Sequence, residues 1–490
     1  MPTGEGEYPY NLGNSFRHLR RTAPDGNLAS RTRLKEKRRI FTKRPNVDLK
    51  DVRFWIMSGS NDDIVREANQ FSDNHVTFSA PAFDRFKADW DKALGPEPFE
   101  PIPYETILSE LLELNTGTGR PLKQQYSTKK QMLDELTIPH LVSYLTWLED
   151  QIAAGTETPE MVFDVFSKLD KYKFKKIYGN RLRTIQGGDV IYLIQLMRWV
   201  YPATKTLYDQ HPRFMLTFDM HSFVERVTLA FAGDYTIGMD ATGFDRGVPA
   251  TVTNFVVLDL AARSECPAAM QVHLAKVASY GPLQLPSGEL LNRSGGNPSG
   301  IFLTSLFNCV FNDLMHIEVY QSIFGLDFDS HVHWIMTGDD SIDGFKAVID
   351  HAVLVKEFNN FGLIYNADLC TDEQGELCLF PPGLGLHAPY LSKVSVVRNG
   401  IVTVVPSDPT RNLGHYHTFD PQTTQSERRA SLTGVRESLL PFSAVQLLDP
   451  SYPVPSCVVD FFSFCDGFGV EGIDSLRATD IYCTPLPADY

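Results

Sequence analysis

Two adjacent acids, Asp339 and Asp340, follow Gly338 in the middle of an apolar, strand-like run, IMTGDDSIDGF (335–345). Neighbouring carboxylates repel each other, and a buried anion without a partner is costly. Positive charge must therefore lie nearby. Basic side chains would make the pair part of a structural ion cluster, whereas bound divalent metal would make it a catalytic centre.

At 490 residues the chain exceeds one compact core, so two to four packed lobes are expected. With 43% hydrophobic and 21% charged residues it is globular rather than disordered. It has no run of about 18 apolar residues, and MPTGEGEYPYNLG at the N-terminus has no signal pattern, which predicts a soluble intracellular protein without a membrane segment. The seven cysteines are odd in number and contain no CxxC pair, which argues against both a disulfide framework and a zinc knuckle. Net charge is −15, yet Arg17 to Arg53 holds 13 Lys/Arg against 4 Asp/Glu, a local +9. A basic arm on an acidic body can hold a polyanion locally. A solvated tail with no ligand is the plain alternative.

Apolar residues recur at three- and four-residue spacing in IPYETILSELLELN and IPHLVSYLTWLEDQIAAG, predicting helices, the second stopped by Gly155. From 235 to about 395, short strands (YTIGMD, HVHWIM) alternate with helical runs (TVTNFVVLDLAARS, TSLFNCVFNDLMHIEVYQSIF, HAVLVKEFNNFG). That order predicts an α+β or α/β body, a sheet covered by helices on one face. Beyond 396 the periodicity is weak.

Two further patterns precede the acid pair. GMDATGFDRGVP carries Asp240 and Asp245 with four residues between them across a strand end. GNPSGIFLTSLFN carries Ser299, Gly300, Thr304 and Asn308, a glycine turn entering a helix on which Thr304 and Asn308 share a face. Each pattern alone is ordinary. In this order, strand with D-x4-D, glycine turn with helix, then strand, GDD turn and strand, they resemble palm motifs A, B and C of viral RNA-dependent RNA polymerases of the picornavirus-like supergroup. The resemblance runs from about 116 to 395, and GMDATGFDRGVP with the serine after GDD is most similar to partitivirus and picobirnavirus polymerases.

The resemblance implies an α+β right-hand fold: a basic N-terminal extension (1–57), fingers (58–230 with 263–295), a palm of antiparallel sheet with helices on one face (231–262 and 296–395), and a thumb with the C-terminal region (396–490). It implies template-directed RNA synthesis from ribonucleoside triphosphates. Asp240, Asp339 and Asp340 would hold two magnesium ions, with manganese as a substitute, which together make a 3′-oxygen nucleophilic and neutralise a triphosphate. Asp245 and Asn308 resemble the pair that reads the ribose 2′-hydroxyl, with Ser299 coupling them and Gly300 and Thr304 completing the nucleotide site. FKKIYGNRLRTIQGG resembles motif F, where Arg183 and Lys176 would face the triphosphate. NTGTGRP resembles the template-channel motif G through Thr116, Gly119 and Pro121, and YLSKVSV resembles motif E, with Lys393 near the primer end. Surface charge and ordinary turns are the plain readings of these flanking motifs.

Where picornavirus polymerases carry a motif D lysine, FGLIYNADLC has Leu369 and Cys370. The general acid is therefore unassigned among Lys356, His387 and the motif F lysines. His331-x-His333 and His415-x-His417 lack carboxylate or Cys partners at ligand spacing and read as polar strand positions. Implied partners are RNA template and nascent RNA, ribonucleoside triphosphates and a capsid protein, in the host cytoplasm or inside the virion. The alternatives are a reverse transcriptase, which usually lacks both the glycine before DD and the ribose-reading pair, and a non-enzymatic RNA-packaging protein, which has no need of three carboxylates in this order.

Overall fold

The computed structural model describes residues 54–485 except 58–60, 70, 72–75, 121, 157–160, 169, 174–182, 217–219, 231–234, 347–348, 370–389, 408, 410–411, 414–424, 468 and 471–474. The basic arm, Pro121, Lys176, Cys370, His387, His415 and His417 lie outside the described residues.

The central sheet has four antiparallel strands, β1 (Tyr235–Thr242), β2 (Val332–Thr337), β3 (Asp340–Phe345) and β4 (Ile364–Leu369), in the order β4-β1-β3-β2. Thr337 pairs with Asp340, leaving Gly338 and Asp339 as a two-residue hairpin turn. Gly338 has φ +67° while Asp339 is not left-handed, which suits a glycine in the first turn position. Strand alternation sends Val332, Trp334 and Met336 into the main core and Ile335 to the opposite face.

Helix α1 (Thr304–Phe324) packs on the core side of this sheet. It is buried nearly all round from Leu306 to Tyr320, as its continuous apolar content requires. The 351–359 helix lies against β4 and α1. The opposite face carries more than an open surface: Ile335 and Ile342 meet Phe223, Val224 and Val227 of the 220–230 helix, with Tyr390 and Val404, in a smaller cluster. The expectation of helices on one face therefore holds for α1, with an extra helix on the other face.

IPHLVSYLTWLEDQIAAG forms the Ile138–Ala153 helix, and Gly155 takes φ +69° just beyond it. IPYETILSELLELN departs from regularity: one α turn at Tyr104–Thr106 widens into a π turn over Ile107–Leu111. Phe54–Met57 pairs antiparallel with Asp170–Lys173, tying the start of the described chain to the segment before motif F. After 390, Lys393–Arg398 and Ile401–Pro406 form a hairpin whose turn residues, Asn399 and Gly400, are both left-handed, as an Asn-Gly turn between strands prescribes. The Gln425–Leu448 and Ser456–Gly467 helices close a separate apolar core over that hairpin.

Candidate active site

Ile237, Met239 and Ala241 of β1 point into the main core, so alternation turns Asp240 to the other face, where it is exposed. Met239 pairs with Ser341, which puts Asp240 level with Asp340 beside the hairpin. Helix α1 holds the turn from below. The Gly338 N–H donates to Cys309 Sγ at 3.1 Å, and Asn312 Nδ2 donates to the carbonyl oxygens of Gly338 and Asp339 at 3.1 and 3.4 Å. Convergence of the acids is read by their neighbours. The buried Tyr365 hydroxyl is pushed well above its ordinary pKa by burial first and then by Asp343, Asp339 and Asp240. Tyr390 is raised by burial, with Asp340 among the contributing charges.

Among the described residues no three His, Cys, Asp or Glu side chains are already gathered into a metal cage. Asp240 and the Asp339–Asp340 turn nevertheless lie on neighbouring strands at the same end of the sheet. Hard divalent cations take carboxylate oxygens together with phosphate and water.

One step behind the acids, Asn308 Nδ2 donates to Asp245 Oδ1 at 2.8 Å. Burial raises the Asp245 carboxyl above its ordinary pKa, opposed by the Asn308 bond and by the charges of Arg183 and Arg246. Arg183, exposed just before the Thr184–Gly187 strand, is thus electrostatically part of this site. Ser299 reaches away from the pair, toward Gln186. Its hydroxyl and its backbone N–H both donate to Gln186 Oε1, at 2.7 and 3.1 Å. Asn308 is tied to Asn297, whose Nδ2 donates to Asn308 Oδ1 at 2.7 Å. Thr304 Oγ1 donates to the Ile301 and Pro298 carbonyls at 2.7 and 3.0 Å, fixing the start of α1. Gly300 forms a bridge with Gly187, and a Cβ there would run into the Gln186 carbonyl, so a side chain is excluded.

Gly119 (φ +69°) packs against the backbone of Gly188, and the Thr118 carbonyl accepts from the Val190 N–H at 2.9 Å. The NTGTGRP loop is thereby docked on the turn that follows motif F. Thr116 closes that loop through its hydroxyl to the Glu113 carbonyl, 2.7 Å. Lys393 shares a cavity with Asp340: its Nζ sits 5.4 Å from the Phe223 ring centre, and with Asp340, Val404, Val435 and Tyr482 it lines a volume of about 680 Å³. His331 stacks on Phe324 at 5.1 Å, and His333 is an exposed strand residue. Lys356 is exposed on the 351–359 helix.

Gln186, Asn297, Asn312 and His316 were not singled out by sequence patterns. Three polar positions on α1 had a signal available, because the four-residue spacing of Thr304 and Asn308 continues through Asn312, His316 and Tyr320. His316 Nδ1 bonds the Asn312 carbonyl at 2.7 Å and Nε2 bonds Ser341 Oγ at 3.0 Å, while Tyr320 donates to Asp343 at 2.6 Å. Gln186 and Asn297 carry no comparable periodicity.

A family model described as viral RNA-dependent RNA polymerase matches residues 55–383, about two thirds of the chain. The genome polyproteins of Human rhinovirus 16 and Human rhinovirus 1B are 24% identical over 267 and 277 residues, covering 52% and 54% of this chain and 11% and 12% of theirs. The chain spans only about a tenth of the length of those relatives. A solved Sicinivirus 3Dpol RNA-dependent RNA polymerase superposes with a TM-score of 0.62 at 13% identity, covering 85% of this chain and 88% of that one, so the α+β right-hand fold is shared. With a family model across most of the described residues and that fold around the acids, the chain belongs to the viral RNA-dependent RNA polymerase family.

Proposed function

We propose that the chain performs template-directed synthesis of RNA from ribonucleoside triphosphates in the replication and transcription of a viral RNA genome. The observation that carries this reading is the meeting of Asp240, at the end of β1, with the Asp339–Asp340 turn, one step from the Asp245–Asn308 pair.

Asp240, Asp339 and Asp340 hold the divalent ions, magnesium by preference with manganese as a substitute. Those ions supply activation of the 3′-oxygen and neutralisation of the triphosphate. Asp245 and Asn308 read the ribose 2′-hydroxyl, Ser299, Gly300 and Thr304 shape the loop beneath it, and Arg183 and Lys176 face the phosphates. Thr116, Gly119 and Pro121 border the template path, and Lys393 meets the nascent strand. The proposed lobes are an N-terminal extension to 57, fingers over 58–230 with 263–295, palm over 231–262 and 296–395, and thumb from 396. RNA is the central partner, a capsid protein a further one, and the host cytoplasm or the virion interior the place of action. No helix of the described residues is long and apolar enough to cross a membrane. The ribose-reading pair favours this reading over reverse transcription, which has no use for it.

Extension of a primed RNA template by the purified chain tests the proposal. The expected result is incorporation dictated by template sequence, dependent on added divalent ion, and stopped by chelation. Incorporation that ignores template sequence, or none at any ion concentration, would refute it.

A further inference from the structure

We infer that Asn297 is a specificity-determining positioning residue: it sets which way the Asn308 amide points, and through it the discrimination between ribose and deoxyribose. The inference rests on the sugar-reading role proposed for Asp245 and Asn308.

Asn297 is fully buried where the 293–297 turn enters motif B. Its Nδ2 donates to two acceptors, the Thr304 carbonyl at 2.7 Å and Asn308 Oδ1 at 2.7 Å. A carbonyl can only accept, so the Thr304 oxygen fixes the NH₂ of Asn297 toward α1. The second N–H of that group then requires an oxygen from Asn308. Asn308 must therefore turn its own NH₂ away from Asn297 and toward Asp245, whose Oδ1 accepts at 2.8 Å. Reversing the Asn308 amide would set two NH₂ groups against each other and an oxygen against a carboxylate. Asn297 keeps this orientation although its own Oδ1 has no hydrogen-bond partner among the described residues.

The same residue also fixes the other reader, since the Asn297 N–H donates to the Asp245 carbonyl at 2.6 Å. Behind it the turn is held independently of any substrate. The buried Arg293 guanidinium donates to the carbonyls of Gly295, Gly296 and Ala278 at 3.0, 2.6 and 2.6 Å, and the Gly296 N–H donates to the Val248 carbonyl at 2.7 Å. With both readers so oriented, Asn308 presents an N–H and Asp245 presents carboxylate lone pairs. A hydroxyl accepts from the first and donates to the second. A sugar without that hydroxyl leaves both unsatisfied, the situation in which polar sites discriminate most strongly.

Asn297→Asp keeps the shape and replaces the donor by an oxygen. In single-nucleotide extension with a ribonucleotide and its 2′-deoxy counterpart, this variant should lower sugar discrimination about tenfold or more, the size of one reversed buried hydrogen bond. Asn297→Ala, which removes the donor without adding repulsion and retains the backbone bond to Asp245, should lower it less and serves where the Asp variant does not fold. Placed on Asn308→Ala, neither change should lower discrimination further, because residues acting through one amide are not additive. A purely structural role would slow both nucleotides equally and leave their ratio unmoved. If Asn308→Ala lowers discrimination and neither Asn297 variant does, or if their effects add to that of Asn308→Ala, the inference is overturned. If Asn308→Ala itself leaves discrimination unchanged, the sugar-reading role fails and the inference falls with it.

Discussion

Asp313 lies within α1 and Asp339 lies against it, and the two meet opposite fates. Asp313 is fully buried and receives Arg213 Nε and Nη2 at 2.7 and 2.8 Å and Trp334 Nε1 at 2.8 Å, while Arg213 also reaches Asp89 at 2.6 Å. Asp339 sits at a hairpin tip, and there Asn312 of α1 grips the backbone carbonyl. At the first position Arg213 and Trp334 bond the carboxylate, and at the second α1 grips the peptide group. A structural ion cluster is thus present at Asp313, and the proposed function gives the other answer, divalent ions, to Asp240, Asp339 and Asp340. Position explains the difference. A carboxylate in the core needs a fixed counter-charge from the protein, whereas one at an open sheet end stays within reach of water and mobile ions.

The sharpest way to break this comparison is to neutralise each acid without changing its shape. Asp339→Asn is expected to leave less than about a thousandth of the wild-type incorporation rate, about 4 kcal/mol of barrier, because an amide is a poor substitute for an anionic metal ligand. Its melting temperature should stay the same or rise as repulsion with Asp340 is relieved. A variant that unfolds, or keeps more than about a tenth of the rate, would mean that Asp339 is structural as Asp313 is.

The reverse experiment removes a counter-charge. Arg213→Met leaves the buried Asp313 carboxylate without its guanidinium counter-charge, which should destabilise the fold by roughly 3–5 kcal/mol while folded molecules retain activity. The pH dependence carries a sign. In the native protein burial pushes the Asp313 carboxyl up, but Arg213 outweighs it and holds the carboxyl below its ordinary value. A carboxyl depressed by folding contributes stability above its unfolded value, near 3.9, and loses it as pH falls further. Without Arg213 burial wins and the folded pKa lies above the unfolded one. Stability should then increase as pH falls from 7 toward 5. Chemical denaturation at pH 7, 5 and 4 measures both slopes, and parallel curves for variant and wild type would remove Asp313 from the account.

The local geometry of the three motifs was legible because each is short: a D-x4-D strand end, a glycine turn entering a helix, and a GDD hairpin. The wiring between them was not. Ser299 was expected to couple Asp245 to Asn308, yet its hydroxyl is taken by Gln186, a residue 113 positions away whose strand bridges to Gly300. Nothing in the spacing of TIQGG announces that contact, because it depends on where two distant segments pack. Arg213 and Asp313 are 100 positions apart and were hidden for the same reason. The second helix-bearing face was missed because Phe223, Val224 and Val227 show nothing in the sequence about which sheet they cover. The Ser456–Gly467 helix was obscured by its run of phenylalanines, which fit strand and helix alike. The Asn399-Gly400 pair, by contrast, is a readable hairpin signal, both residues being left-handed between paired strands.

The smallest effect should come from the residue that joins the two regions, Asn312, the immediate neighbour of Asp313 and the support of the GDD turn. Its Nδ2 donates to the Gly338 and Asp339 carbonyls, and its Oδ1 accepts from the Tyr365 hydroxyl at 3.3 Å. Asn312→Ala removes a side chain that holds the turn and leaves buried polar groups unsatisfied, at a cost of about 1–3 kcal/mol in stability. The strand register around the turn survives, because Thr337–Asp340 and Met336–Ser341 pairing does not involve Asn312. Asp339 is therefore expected to keep its place on average and lose its fixed orientation. In catalysis that should appear as a fall in kcat of about tenfold with little change in KM for the nucleotide, since misplacement of a reacting geometry weakens the transition state more than ground-state binding. Steady-state extension at saturating template, with thermal melting of the same preparation, separates the two contributions. Lowered stability with an unchanged kcat would show that strand pairing alone positions the acids, and would make Asn312 a partner of the core in the manner of Asp313.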